Sequence, residues 1–186
     1  MNTKPDSVTL TVTVTSHAAV DEVLAALNRD ATAAKREGDM ARAVDLLKQA
    51  KARQGDMYQE TRLAKFLQQA GRVDEALAEI QWLRDRSTAW AKAMFGHQPA
   101  STRLKHQVRW QAELEWDAAL ICKRAKRPEQ EAEHRKRFET LAALRDKLGP
   151  VADADQVDQR REREARLPTA VRERIQLRRD AATRSG

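Results

Sequence analysis

Along most of the chain, hydrophobic positions recur at three- and four-residue intervals. Val20, Val23, Leu24, Leu27, Ala31 and Ala34 fall on one helical stripe. Lys35 and Arg36 suit the end of that helix, and Gly38 can take the left-handed conformation that closes it. Asp39 caps a second helix with the buried side Met40, Ala43, Val44, Leu47 and Ala50, which Gly55 stops. Asp56 with Gln59 predicts the start of a third helix, carrying Leu63, Ala64, Phe66, Leu67 and Ala70 up to Gly71. Val73, Ala76, Leu77, Ile80 and Leu83 form a fourth stripe.

Residues 84–100 interrupt the pattern. Ser87 or Thr88 is expected to open a short helix holding Trp90, Met94 and Phe95, which Gly96 and Pro99 end. Ser101 then caps a long helix to about Lys126, and Pro128 at a first helical position opens its partner, running to Leu148. Beyond Gly149-Pro150 the apolar stripe is lost and acids alternate with arginines, which predicts a charged tail over 149–186, partly disordered, with a short helix at 168–180. The N-terminus has another period. Val8, Leu10, Val12 and Val14 alternate with threonines, the signature of a strand with one buried face. An isolated strand needs a partner for its ladder. Within the N-terminal strand or arm over 1–15, the segment Val8–Thr15 is therefore expected to pair with the same segment of a second copy, making a homodimer, or with another protein. The remaining alternative is a flexible arm that orders only on binding.

Superimposing Gly38 on Gly71 aligns Ala31 with Ala64, Ala43 with Ala76, Val44 with Leu77 and Leu47 with Ile80, an offset of 33 residues. Residues 24–86 resemble two degenerate tetratricopeptide repeats. In that family small residues sit where the helices of a hairpin cross and glycine sits in the turn. Ala31, Gly38-Asp39, Ala43 and Ala50 occupy those places, as do Ala64, Gly71-Arg72 and Ala76. The family's aromatic residues in the first helix and proline after the second are missing, and Leu83 replaces the last small residue. Residues 101–148 read as a third hairpin, with Ala132 at the place of Ala43 and Ala76, able to cap the stack. The expected fold is therefore all-α: stacked antiparallel helical hairpins over 16–148, a fragment of a tetratricopeptide-like α-solenoid, with one isolated N-terminal β-strand and a charged C-terminal tail.

Charge and chemistry refine this picture. The 186 residues carry 35 Lys and Arg against 28 Asp and Glu, a formal charge of +7. The excess lies late in the chain, with 12 basic and 8 acidic residues in 101–150 and 9 and 7 in 151–186. Such a balance favours acidic partners, nucleic acid included. Cys122 is the single cysteine, and it projects on the apolar face with Leu104 and Val108, so a buried, inert thiol in a reducing compartment is expected. No run approaches the ~20 apolar residues of a membrane span, and the N-terminus does not read as a signal peptide, which points to the cytoplasm. The four histidines are scattered, and no zinc spacing, phosphate loop or nucleophile motif is present. The chain therefore reads as a non-enzymatic protein-protein interaction or scaffold module without cofactor or metal, the alternative being a nucleic-acid-binding accessory protein.

Two surfaces stand out. On the helix at 102–126, Trp116 and Leu120 lie one turn apart opposite the apolar face, beside Arg109, and suit an anchor for a protein or peptide. The bland alternative is that the C-terminal tail or the 88–95 segment covers them. Glu115 intrudes on the apolar side and needs a partner, while His134, four residues before Phe138, reads as an edge-of-core residue. Around the turn of the third hairpin, Lys123, Arg124, Lys126, Arg127, Arg135, Lys136 and Arg137 converge on one end, either as a solvated basic surface or as a phosphate contact.

Overall fold

A computed structural model describes residues 17–175. All regular structure among the described residues is helical: α1 (His17–Arg36), α2 (Met40–Gln54), a 3-10 turn (Gly55–Met57), α3 (Arg62–Gln69), α4 (Val73–Phe95), α5 (Ala100–Arg124) and α6 (Pro128–Ala165). The fold is corrected accordingly to helical without a strand, since none occurs among the described residues. The strand expected at Val8, Leu10, Val12 and Val14, and the strand-paired homodimer built on it, lie outside them. The chain divides at Gly55/Asp56 into two compact units.

The first unit is the α1–α2 hairpin. Gly38 adopts φ +85°. Its N–H bonds the Lys35 carbonyl at 3.1 Å, and the Asp39 N–H bonds Ala34 at 2.9 Å. These are the paired bonds of a Schellman motif, and they satisfy carbonyls the helix end would otherwise leave bare. The Asp39 carboxylate accepts from the Arg42 N–H at 2.9 Å and caps α2. Ala31, Ala34, Ala43, Val44, Leu47 and Ala50 are buried, as their spacing requires.

The second unit holds α3 to α6. Gly71, φ +77°, repeats the turn, with Gly71 N–H to Gln68 at 3.1 Å and Arg72 N–H to Leu67 at 2.9 Å. The turn between α5 and α6 has the same bonds, Lys126 N–H to Lys123 at 3.1 Å and Arg127 N–H to Cys122 at 3.0 Å, but there a lysine holds φ +55°. Superimposing the three left-handed residues puts Ala119 on Ala31 and Ala64, all three fully buried. It puts Glu131 on Ala43 and Ala76, so the expected match to Ala132 is one residue out, and Ala132 is exposed.

A β-carbon in the left-handed region costs about 1 kcal/mol or more. Lys126→Gly should therefore stabilise the chain by about 0.5–1 kcal/mol after glycine's extra unfolded-state entropy is subtracted. Urea denaturation of the pair measures this, and an unchanged or lowered midpoint would show that another interaction of Lys126 offsets the strain.

Three boundaries differ from those the sequence suggests. The segment after Gly55 does not start a helix at Asp56, because Tyr58 is buried with its ring 6.2 Å from Trp82, and α3 begins only at Arg62. Neither does α4 break at Ser87. Ser87 is buried, its hydroxyl accepts from Gln111 Nε2 at 2.8 Å, and Thr88 accepts from Gln107 Nε2 at 2.8 Å. Hydroxyls that could have capped a new helix are thus satisfied across the α4–α5 seam. Finally, α6 runs through Gly149-Pro150 to Ala165, so the charged segment is not a separate tail from residue 149. Ala152 is buried and its carbonyl accepts from Thr102 Oγ1 at 3.5 Å, Lys105 pairs with Asp153 at 2.9 Å, and Ser101 bonds Asp155. Gln159 and Arg163 then donate to the His97 carbonyl at 3.1 and 3.3 Å. Helix resumes over 169–175, the described part of the one expected at 168–180.

Candidate functional site

Helix α5 is the centre of the second unit, packed against both α4 and α6. Its faces present two hollows of different character.

On one face a cleft of about 490 Å³ is lined by Thr61 and Lys65 at the start of α3, by Trp110, Glu113, Trp116 and Asp117 of α5, and by Phe138 of α6. The four- and three-residue steps of α5 bring its members to one side. Trp116 is 39% exposed, with its ring 5.1 Å from that of Phe138 and the Arg135 guanidinium 5.4 Å from its centroid. Lys65 and Asp117 pair at 2.9 Å in the cleft. Helix α6 therefore provides the partial cover of Trp116, in place of the tail or the 88–95 segment. Arg109 is exposed and pairs with Glu113 at 3.0 Å, and Leu120 is half-buried. Neither lines the cleft, so of the three expected anchor residues the structure places only Trp116 there.

Trp110, Trp90, Phe95 and His106 form an aromatic run between α4 and α5, with Phe95 and His106 stacked at 3.9 Å and 6°. Burial, together with Arg109 and Lys105, lowers the His106 pKa, so the ring favours its neutral form in this stack.

On the opposite face of α5 a hollow of about 540 Å³ is lined by Arg84, Gln111, Glu115, Glu133, Lys136, Arg137, Thr140 and Leu141. Glu115, 2% exposed, accepts from Arg84 Nη1 at 2.5 Å and bonds His134 Nδ1 at 2.6 Å. Arg84 also donates to the Gln81 side-chain carbonyl. Burial pushes the Glu115 carboxyl pKa up, but the hydrogen bonds from His134 and Arg84 outweigh it, and the group stays below the ordinary glutamate range. This three-helix ionic centre answers the need for a partner that the sequence exposes. Arg84, its chief cation, stood out by nothing in its own sequence context, 31 residues away.

The basic end of the third hairpin is mostly exposed, but its four arginines already have acceptors. Arg127 pairs with Asp74 at 2.5 Å and holds that carboxyl below its usual range. Arg124 reaches Gln68 at 3.4 Å, Arg135 pairs with Glu131 at 2.8 Å, and Arg137 pairs with Glu133. Lys123, Lys126 and Lys136 are exposed and make no ion pair among the described residues. The seven cations therefore do not form one open patch.

Cys122 is buried, and burial raises its thiol pKa, which suppresses the thiolate. Among the described residues no helix is long and apolar enough to cross a membrane, and no group of His, Cys, Asp or Glu is arranged to hold a metal ion. No protein-family model, curated protein or solved structure matches the chain.

Proposed function

We propose that the chain is a non-enzymatic interaction module, a tetratricopeptide-like set of helical hairpins that holds another protein. The observation that carries this reading is the Trp116 cleft. A large aromatic ring with two-fifths of its surface in water lines the cleft and is held by Phe138 and Arg135. Tryptophan and arginine with a preformed hollow are the usual make-up of a binding hot spot, and a fixed ring loses little entropy when a partner covers it.

Affinity capture from the native host with wild type and Trp116→Ala tests the reading. A partner held by wild type should be lost from the variant with a weakening of about 30-fold or more. Because Trp116 is part exposed, the variant should remain folded, which circular dichroism checks. Recovery of the same partners by both proteins would remove Trp116 from the interface.

The alternative is nucleic-acid binding through the basic hairpin end. Most of its arginines already have intramolecular acceptors, so the reading rests on Lys123, Lys126 and Lys136. It requires affinity that falls steeply with salt.

A further inference from the structure

We propose that the face of α4, α5 and α6 opposite Trp116 is a docking groove for an acidic amphipathic helix of a partner protein. The inference rests on the interaction-module reading and names a second surface and its ligand.

Two hollows lie in succession along the α4–α5 seam, and α6 borders the first of them. The hollow beside Arg84, Gln111 and Leu141 is followed by another of about 430 Å³ lined by Thr88, Lys92, Arg103, Leu104 and Gln107. Residues 84, 88 and 92 advance turn by turn along α4, while 111, 107 and 104 run back along α5, so both hollows lie on one side of the unit. The α5–α6 register is fixed at one end by Glu115 and His134 and at the other by Thr102 and Ala152. Between these ties, Leu141, which lines the first hollow, begins a row at helical spacing on α6 with Leu144, Leu148 and Val151.

The row on α6 and Leu104 in the second hollow present apolar side chains to water. Leu104 is 43% exposed, Leu144 41% and Val151 51%. From Leu141 the steps are three, seven and ten residues, the spacing with which one helix meets another, and the row spans about 15 Å, some three turns. A helix with leucines at matching intervals fits it, whereas a flat membrane surface does not fit a groove.

Charge selects the sign of the partner's flanks. Lys92 and Arg103 border one hollow, and Lys136 and Arg137 the other. The acids that reach the groove are already committed, Glu133 to Arg137 and both oxygens of Glu115 to Arg84 and His134. Acidic side chains flanking an apolar seam would meet Lys92 and Lys136, neither of which has an ion pair among the described residues. A nucleic acid would gain the same cations but would cover the leucines with phosphate and sugar, and the row has no aromatic ring for bases to stack on.

Fluorescence anisotropy with the full chain and synthetic labelled peptides of about five turns tests the proposal. One peptide carries leucines at heptad a and d positions with glutamates flanking them. The second has lysines for the glutamates, the third has glutamines for the leucines, and a thymidine oligonucleotide is the fourth probe. The acidic leucine peptide should bind at least about tenfold more tightly than the other three. Leu144→Glu with Val151→Glu should weaken it about tenfold or more, and Lys92→Glu with Lys136→Glu should shift preference towards the lysine peptide. All four positions are at the surface, so melting temperatures should hold, and Trp116→Ala should leave this affinity unchanged. Equal binding of the glutamine-substituted peptide, or tighter binding of the oligonucleotide, overturns the proposal. If Trp116→Ala alone abolishes peptide binding, the groove is refuted while the interaction-module reading survives.

Discussion

Replacing Arg84 by methionine is expected to cost about 3 kcal/mol of folding stability, the lower end of the range for breaking a buried ion pair. The methionine keeps most of the apolar stem, so the loss reports on charge. Glu115 would remain 2% exposed with only His134 to satisfy it, and an incompletely paired buried carboxylate is far costlier than the intact pair is beneficial. Arg84 is itself 28% exposed, and water reaching it reduces the Coulomb energy, hence the low end. Arg84→Met combined with Glu115→Met should recover much of the loss, because two apolar residues replace an expensive pair. Urea denaturation of the wild type, Arg84→Met, Glu115→Met and the double variant gives the coupling, and an Arg84→Met loss below about 0.5 kcal/mol would show that the carboxylate finds another partner.

The same centre sets a pH dependence of known sign. The folded-state pKa of Glu115 lies below its ordinary value of 4.5, so its ionisation contributes stability that is fully present above that value. The contribution is lost as pH falls through the lower folded-state value. Arg84→Met removes one of the bonds holding the pKa down and should move this acid limb to higher pH. Glu115→Gln should remove the limb altogether. Stability measured from neutral pH to below the glutamate range distinguishes the three.

The second large effect is a gain. Gly149→Ala with Pro150→Ala should raise stability by about 3 kcal/mol. Proline inside a helix costs about 3 kcal/mol through its missing N–H and its clash with the preceding turn. Up to about 1 kcal/mol of that is returned by its stiffening of the unfolded chain. Alanine at 149 adds about 1 kcal/mol from helix propensity, and its β-carbon would meet nothing within 4 Å. The Asp146 carbonyl would regain a donor from residue 150. A higher melting temperature and slower amide exchange across 146–156 are the signs to look for. A lower melting temperature would mean that the irregularity at 149–150 bends α6 to fit α5 and that straightening it strains the Thr102–Ala152 packing.

The local rules that the sequence obeys determined the helical character of the chain and the places of the three hairpin turns. Gly38 and Gly71 are readable because a left-handed residue closing a helix favours glycine, and the alanine spacing around them follows from two helices crossing closely. Pro128 marks the start of α6 for an equally local reason, its missing N–H falling where the helix has no intrahelical acceptor. That turn is readable from Pro128, but the left-handed conformation of Lys126 within it is not, because its residue type resists what the antiparallel α5–α6 packing imposes. Distance along the chain hid the rest. Ser87 looks like a helix start until Gln111 supplies its hydrogen bond, and Gly149-Pro150 looks like a helix end until Thr102, Lys105 and Ser101 hold the following turns. Glu115 announced that it needed a partner, but only the packing of three helices could bring Arg84 and His134 to it. Propensity differences of about 1 kcal/mol per residue mark where a helix can begin or end. Tertiary contacts of similar or greater size decide whether it does.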